Sequence, residues 1–172
     1  MSDARFEDGA EAPLRLIARD AADLGVLSAL VQDAVLTGAD LAWARGRRRF
    51  SLLLNRFRWE DAPQAEAAGR RFERVRAVLE FADVREVRHQ GLSRDKDTVL
   101  SLLSVAYRPA TADAQTEQTG RAETEPAGPG TITLTFAGDG LLELTVECIE
   151  AELVDVTRPY GAPSGQAPSH PR

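Results

Sequence analysis

Only one cysteine, Cys148, occurs in the 172 residues, so no disulfide can form within the chain and no cysteine-based zinc site can be built. A reducing cytoplasm is the compartment that suits such a chain. Histidine is nearly as scarce: His89 stands in VRHQGL and His170 near the end. A nucleophilic cysteine needs a base beside it, and nothing in the spacing requires His89 to approach Cys148. No Gly-x-Ser-x-Gly, phosphate loop or Rossmann glycine pattern is present. No apolar run reaches the roughly 18 to 20 residues of a membrane helix, and MSDARFEDGAEAP lacks the apolar core of a signal peptide. The expectation is a cytoplasmic protein with no membrane partner, no cofactor, no metal site and no catalytic residue.

Lysine is almost missing as well. Lys96 is the only one; every other basic residue is arginine. Alongside abundant Ala and Gly, this reads as a coding bias more than as selected phosphate chemistry. The net charge of -6 is unevenly spread: residues 41–96 carry fourteen basic and eight acidic residues, a net +6, which leaves -12 for the rest. A charge-polarised chain of this kind fits a partner surface better than wholesale attraction to polyanions.

Patterning then fixes the organisation. Residues 1–13 are polar, end in Pro13 and read as a tail. LRLIA (14–18) is a short strand. RDAADLGVLSALVQDA follows as a helix capped by Asp20, with Leu24, Leu27, Leu30, Val31 and Ala34 on one face. VLTGADLAWA, the turn ARGR and RRFSLLLNRF form a hairpin, and 60–69 is a loop. FERVRAVLEF (72–81) alternates with Val75, Ala77, Leu79 and Phe81 inward. DVREVRHQGL is a further strand and TVLSLLSVAY (98–107) a central one. The stretch 109–130 has no large apolar residue and reads as a flexible insertion. TITLTF and LLELTVE flank the turn AGDG. CIEAELVDV fits a helix or a strand, and the helix is preferred. Residues 157–172 form a Pro- and Gly-rich tail. The fold class is α+β: one domain over 14–156, a mainly antiparallel sheet of about six to eight strands, with one or two helices packed on it.

The stretches LRLIARDAADLGVLSALVQDAVL, RFSLLLNRFRWE, VLSLLSVAY and ITLTFAGDGLLELTVECIEAELVDV resemble an uncharacterised alphaproteobacterial family, a domain of unknown function. The resemblance implies a small bacterial cytoplasmic protein. It carries no activity, cofactor or catalytic residue.

The one chemically suggestive stretch is RGRRRFSLLLNRFRWE (45–60). With FERVR it offers Arg47, Arg49, Arg56, Arg58, Arg74 and Arg76 as a polyanion surface, with Phe57 or Trp59 available for base stacking. The plainer reading is a half-solvated sheet whose outward positions happen to be arginine, paired with Glu73, Glu80 or the acids of 143–155. Glu147 and Glu150 would share one face of a helix and could hold a hard cation, but no shaped oxygen-rich loop accompanies them. Gln32 and Asp33 close the first helix and are expected to bond to backbone near the following turn. These observations favour a non-enzymatic protein-binding or adaptor module. Nucleic-acid binding through the arginine strands and an enzyme of undetected type are the alternatives.

Overall fold

Alternating apolar and polar residues drive much of this chain into strands, because each alternate side chain finds the same buried face. The structure, a computed structural model, describes residues 13–93, 95–110 and 127–169. In chain order the elements are β1 (Arg15–Ala18), α1 (Ala21–Val31), β2 (Ala34–Thr37), β3 (Leu41–Ala44), β4 (Arg49–Phe57), α2 (Ala62–Ala67), β5 (Glu73–Phe81) and β6 (Val84–Gln90). Then follow β7 (Val99–Pro109), β8 (Gly130–Phe136), β9 (Gly140–Val146), β10 (Ala151–Asp155) and β11 (Tyr160–Gly161). The α+β class and the antiparallel pairing hold.

The strand count is eleven among the described residues, above the expected six to eight. Three differences account for it. The segment preferred as a helix, 148–156, contributes β10: Ala151–Asp155 pairs with Ala77–Phe81 of β5. Both patterns bury Ile149 and Leu153, and the open edge of β5 decided between them. A one-turn 3-10 helix at Gly38–Asp40 splits the first arm of the expected hairpin into β2 and β3. Tyr160 and Gly161, in the segment read as a tail, pair with Arg74 and Glu73. The expected loop at 60–69 holds the short helix α2, started by Pro63 in its first turn. Residues 1–12 of the expected tail and 111–126 of the expected insertion lie outside the described residues, while the insertion's ends, Pro109 and Gly130, belong to β7 and β8.

The sheet runs β1-β10-β5-β4-β2-β7-β8-β9-β6. β5 leads into β6, and β9 into β10, through short corners at 82–83 and 147–150. β5 pairs with β10 and β6 with β9, so two antiparallel pairs meet end to end and the strand path turns back on itself. At the corner Ala82 N–H donates to Glu150 O, Glu147 N–H to Asp83 O and Val84 N–H to Arg48 O. Inside lies one core, including Phe50, Leu52, Leu54, Leu79, Phe81, Leu102, Ile132, Leu134, Phe136 and Leu144. α1 adds Leu24, Leu27 and Val31 to it. Its cap is the expected one: Asp20 Oδ1 accepts from Asp23 N–H at 2.8 Å.

The mouth of the 109–130 insertion is clamped. Tyr107 Oη donates to Gly128 O at 2.7 Å, and its ring lies over Gly130. A Cβ at residue 130 would meet Arg108 O at 2.4 Å and the Tyr107 ring at 2.5 Å, so only glycine fits.

Candidate functional site

The arginines of 45–76 divide into those the fold uses and those it leaves over. Arg56 points inward from β4 and is 0% exposed. A buried guanidinium needs acids around it. Asp155 of β10 accepts from Nε and Nη2, both at 2.9 Å; Glu60 accepts from Nη2 at 2.7 Å and Nη1 at 2.9 Å. Asp155 also receives Leu14 N–H at 3.1 Å, which ties the start of β1 to the same cluster. Burial pushes the Arg56 guanidinium toward losing its proton, but the bonds it donates to Glu60 and Asp155 outweigh it and hold the group above its ordinary range. Burial likewise raises Glu60, and Arg56 reverses the sign, leaving its carboxyl below the ordinary glutamate range.

Arg56 therefore lies inside the fold, away from any polyanion surface, and three other members of that set are engaged. Arg49 bonds Glu80 across the β4–β5 ladder. Arg58 bonds Glu73, with Glu60 at 3.8 Å and Asp61 at 3.9 Å. Arg74 donates to Asn55 O at 3.1 Å, and its Cζ stands 6.0 Å from the centre of the Phe57 ring. That ring is buried and packs edge-on to Trp59 at 4.6 Å. Trp59 Nε1 in turn donates to the backbone carbonyl of Gln32 at 2.9 Å. The aromatics suggested for base stacking thus pack on each other. Arg47 is exposed in the turn before β4. Arg76 is exposed on β5, and among the described residues its side chain has no carboxylate partner.

Arg76 borders a cleft of about 310 Å³ on the outer face, lined also by Val35, Leu36, Thr37, Asp40, Leu53, Asn55 and Tyr160. The 3-10 turn at Gly38–Asp40 creates it. β2 and β3 both run along the same edge of β4, β2 opposite Asn55 and β3 opposite Arg49–Leu52, and between them the chain bulges out. Thr37 and Asp40 fix that turn: Asp40 Oδ2 accepts from Thr37 N–H at 2.8 Å and from its hydroxyl at 3.0 Å. Asn55 and Arg76 are direct cross-strand partners. The Asn55 Oδ1 atom is buried with no hydrogen-bond partner. The sequence held a signal for the turn, the spacing of Thr37 and Asp40, but none for the cleft, which depends on β5 lying beside β4.

At the far corner, burial and the neighbouring Asp83 carboxylate push the Cys148 thiol up to about 11. Its Sγ lies 3.4 Å from Asp83 Oδ2. His89 stands on β6 opposite Leu142, whereas the corner begins at Val84 opposite Val146. Five strand residues separate them, about 16 Å. Glu147 bonds Arg85 and, at 3.3 Å, Arg48, in the corner between β9 and β10 and not on a helix. Asp83, Cys148 and Glu150 bring three donor atoms within 4.8 Å of one another, fewer than the six or more oxygens calcium takes.

A family model described as "Protein of unknown function (DUF2948)" matches residues 14–170. The chain belongs to that family. No curated protein and no solved structure matches it. In this DUF2948 domain no helix among the described residues is long and apolar enough to cross a membrane. The matched span takes in the Arg56 cluster, the cleft and β11, and the expected membership in a domain family without assigned activity is confirmed.

Proposed function

We propose that this domain is a non-enzymatic binding module of the cytoplasm that engages another protein through the outer face of β2, β4, β5 and β10. The observation that carries this reading is a contrast between two outer faces of one sheet. Over β8 and β9 the outward cross-strand pairs are Thr131–Thr145, Thr133–Glu143 and Thr135–Leu141, a mostly polar, water-facing surface. Over β4, β5 and β10 one outward row is Leu53–Val78–Val154, beside the polar row Ser51–Glu80–Glu152, with Ile17 42%, Val156 52% and Tyr160 37% exposed around it. Apolar side chains gathered on one face, with an unpaired arginine among them, are the composition of an interface core and its anchor. Arg49, Arg56 and Arg58 are already held by acids, which reduces the cationic surface left for nucleic acid.

Photo-crosslinking tests this. A benzophenone side chain placed at Val156 or Tyr160, and at Thr133 as control, would be irradiated in cells with and without nuclease treatment of the lysate. The reading expects one protein adduct from 156 and 160, absent from 133 and unchanged by nuclease. Adducts that vanish with nuclease, or that appear equally from all three positions, refute it.

A further inference from the structure

The cleft between β2 and β4 has a polarity of its own. Asp40 lies on the β2–β3 side, Asn55 in the middle on β4, and Arg76 beyond it on β5. Asp40 is committed to Thr37, so among the described residues that line the cleft Asn55 Oδ1 is an acceptor without a donor and Arg76 a cation without an acid. Val35 and Leu53 supply an apolar wall and Tyr160 an aromatic rim. Arg71 and Arg74 stand on the same border: Arg74 is the cross-strand partner of Tyr160, and the Arg71 side chain lies against Gly161. The local field favours an anion at the β5 end and a hydrogen-bond donor at the β4 end.

We infer that this cleft receives the C-terminal residue of a partner polypeptide. The terminal carboxylate would meet the Arg76 guanidinium, a pairing that planar, forked geometry favours. The N–H of that same residue, two bonds from the carboxylate carbon, would meet Asn55, whose terminal amide torsion is soft enough to turn its oxygen outward. An apolar last side chain would rest on Val35 and Leu53. At about 310 Å³ the cleft is at the small end of ligand sites, room for one residue and its carboxylate. Terminal carboxylates are a recurrent handle in peptide recognition. This inference rests on the protein-binding reading above and names the chemistry of the partner.

The test uses the full chain, labelled with 15N, and titrates five probes to millimolar concentration: N-acetyl-leucine, N-acetyl-leucinamide, free leucine, 4-methylpentanoate and the peptide Gly-Gly-Gly-Leu. The expected result is saturable shifts at Val35, Asn55 and Arg76 with N-acetyl-leucine and the peptide, and affinity weaker by about tenfold or more for the amide, the scale of a lost charged hydrogen bond. Arg76→Ala should abolish the preference for acid over amide, and Arg76→Lys should restore part of it. Asn55→Leu should weaken N-acetyl-leucine but leave binding of 4-methylpentanoate, which has no N–H, nearly unchanged. Equal binding of acid and amide, or no shifts with any probe, overturns the inference; the crosslinking result then decides the protein-binding reading independently. Free leucine binding more tightly than the peptide would overturn the polypeptide terminus in favour of a small zwitterion.

Discussion

Replacing Arg56 by Ala tests whether the fold depends on this charge, 0% exposed at the centre of its cluster. The substitution would leave Asp155, whose side chain is 6% exposed, without its two bonds from the guanidinium, and Glu60, 33% exposed, without two more. Breaking a buried pair by removing one partner destabilises by about 3–5 kcal/mol, because the remaining charge stays desolvated. Against a typical total of roughly 5–15 kcal/mol this is a large fraction. For a chain of this size the midpoint of thermal unfolding should fall by about 6–20 °C. Urea unfolding followed by circular dichroism would read the change in midpoint at constant slope. Arg56→Met combined with Asp155→Asn removes charge on both sides and keeps an acceptor for Leu14 N–H; it should recover more than about 1 kcal/mol relative to the sum of the single variants. The pH dependence has a defined sign. Glu60 is held below its ordinary range in the folded state, so its contribution is complete above the unfolded value, about 4.3, and disappears as pH falls through the lower folded value. That acid-side loss should flatten in the Arg56→Met variant. An Arg56→Ala protein within about 1 kcal/mol of the parent would refute the argument, since it would mean that water reaches the cluster.

Three further outcomes follow from local geometry. Cys148, at about 11, should react with iodoacetamide at pH 8 about twentyfold more slowly than a free thiol, the thiolate deficit outrunning its higher intrinsic nucleophilicity; Asp83→Asn should speed it, and a rate equal to free cysteine would contradict the assignment. Gly130→Ala should destabilise by about 1–3 kcal/mol in urea melts, because the added carbon meets Arg108 O and the Tyr107 ring; no change would show that the clamp is loose. Asn55→Leu should raise stability by about 1 kcal/mol or more in the same assay, since it removes a buried acceptor that has no donor, and a loss would show that the amide is satisfied.

How much of this was readable in advance depends on which interactions decided each element. β5 and β8 were legible because their alternation is clear, and β4 and β9 because their leucine-rich runs lie beside turn signals. α1 was legible because Asp20 and the spacing of Leu24, Leu27 and Val31 agree, one on where the helix starts and the other on its buried side. β10 was not, because EAELVDV places apolar residues at spacings that serve helix and strand alike, and the decision lay with the open edge of β5, some seventy residues away. β11 escaped for a related reason: two residues carry no period, and Tyr160 and Gly161 are held by β5 and by the bond from Ala162 N–H to Phe72 O.

The arginines show the same limit in a sharper form. At the level of sequence Arg56 and Arg76 are equivalent: each belongs to an alternating strand in a basic segment. Their fates differ by the parity of one register. Arg56 stands opposite Val75 on the inward side, and so requires Asp155 and Glu60 to follow it into the core. Arg76 stands opposite Asn55 on the outward side, where no acid of the described residues accompanies it. A single-residue slip of β4 against β5 would exchange the core and solvent faces of β4, sending the paired charge to water together with the leucines beside it. Burial of Phe50, Leu52 and Leu54 on the inward side, opposite Phe81, Leu79 and Ala77, forbids that slip. The same packing that hides one arginine therefore fixes the other beside the cleft, and stabilising the core and displaying a cation on the outer face are two consequences of one register.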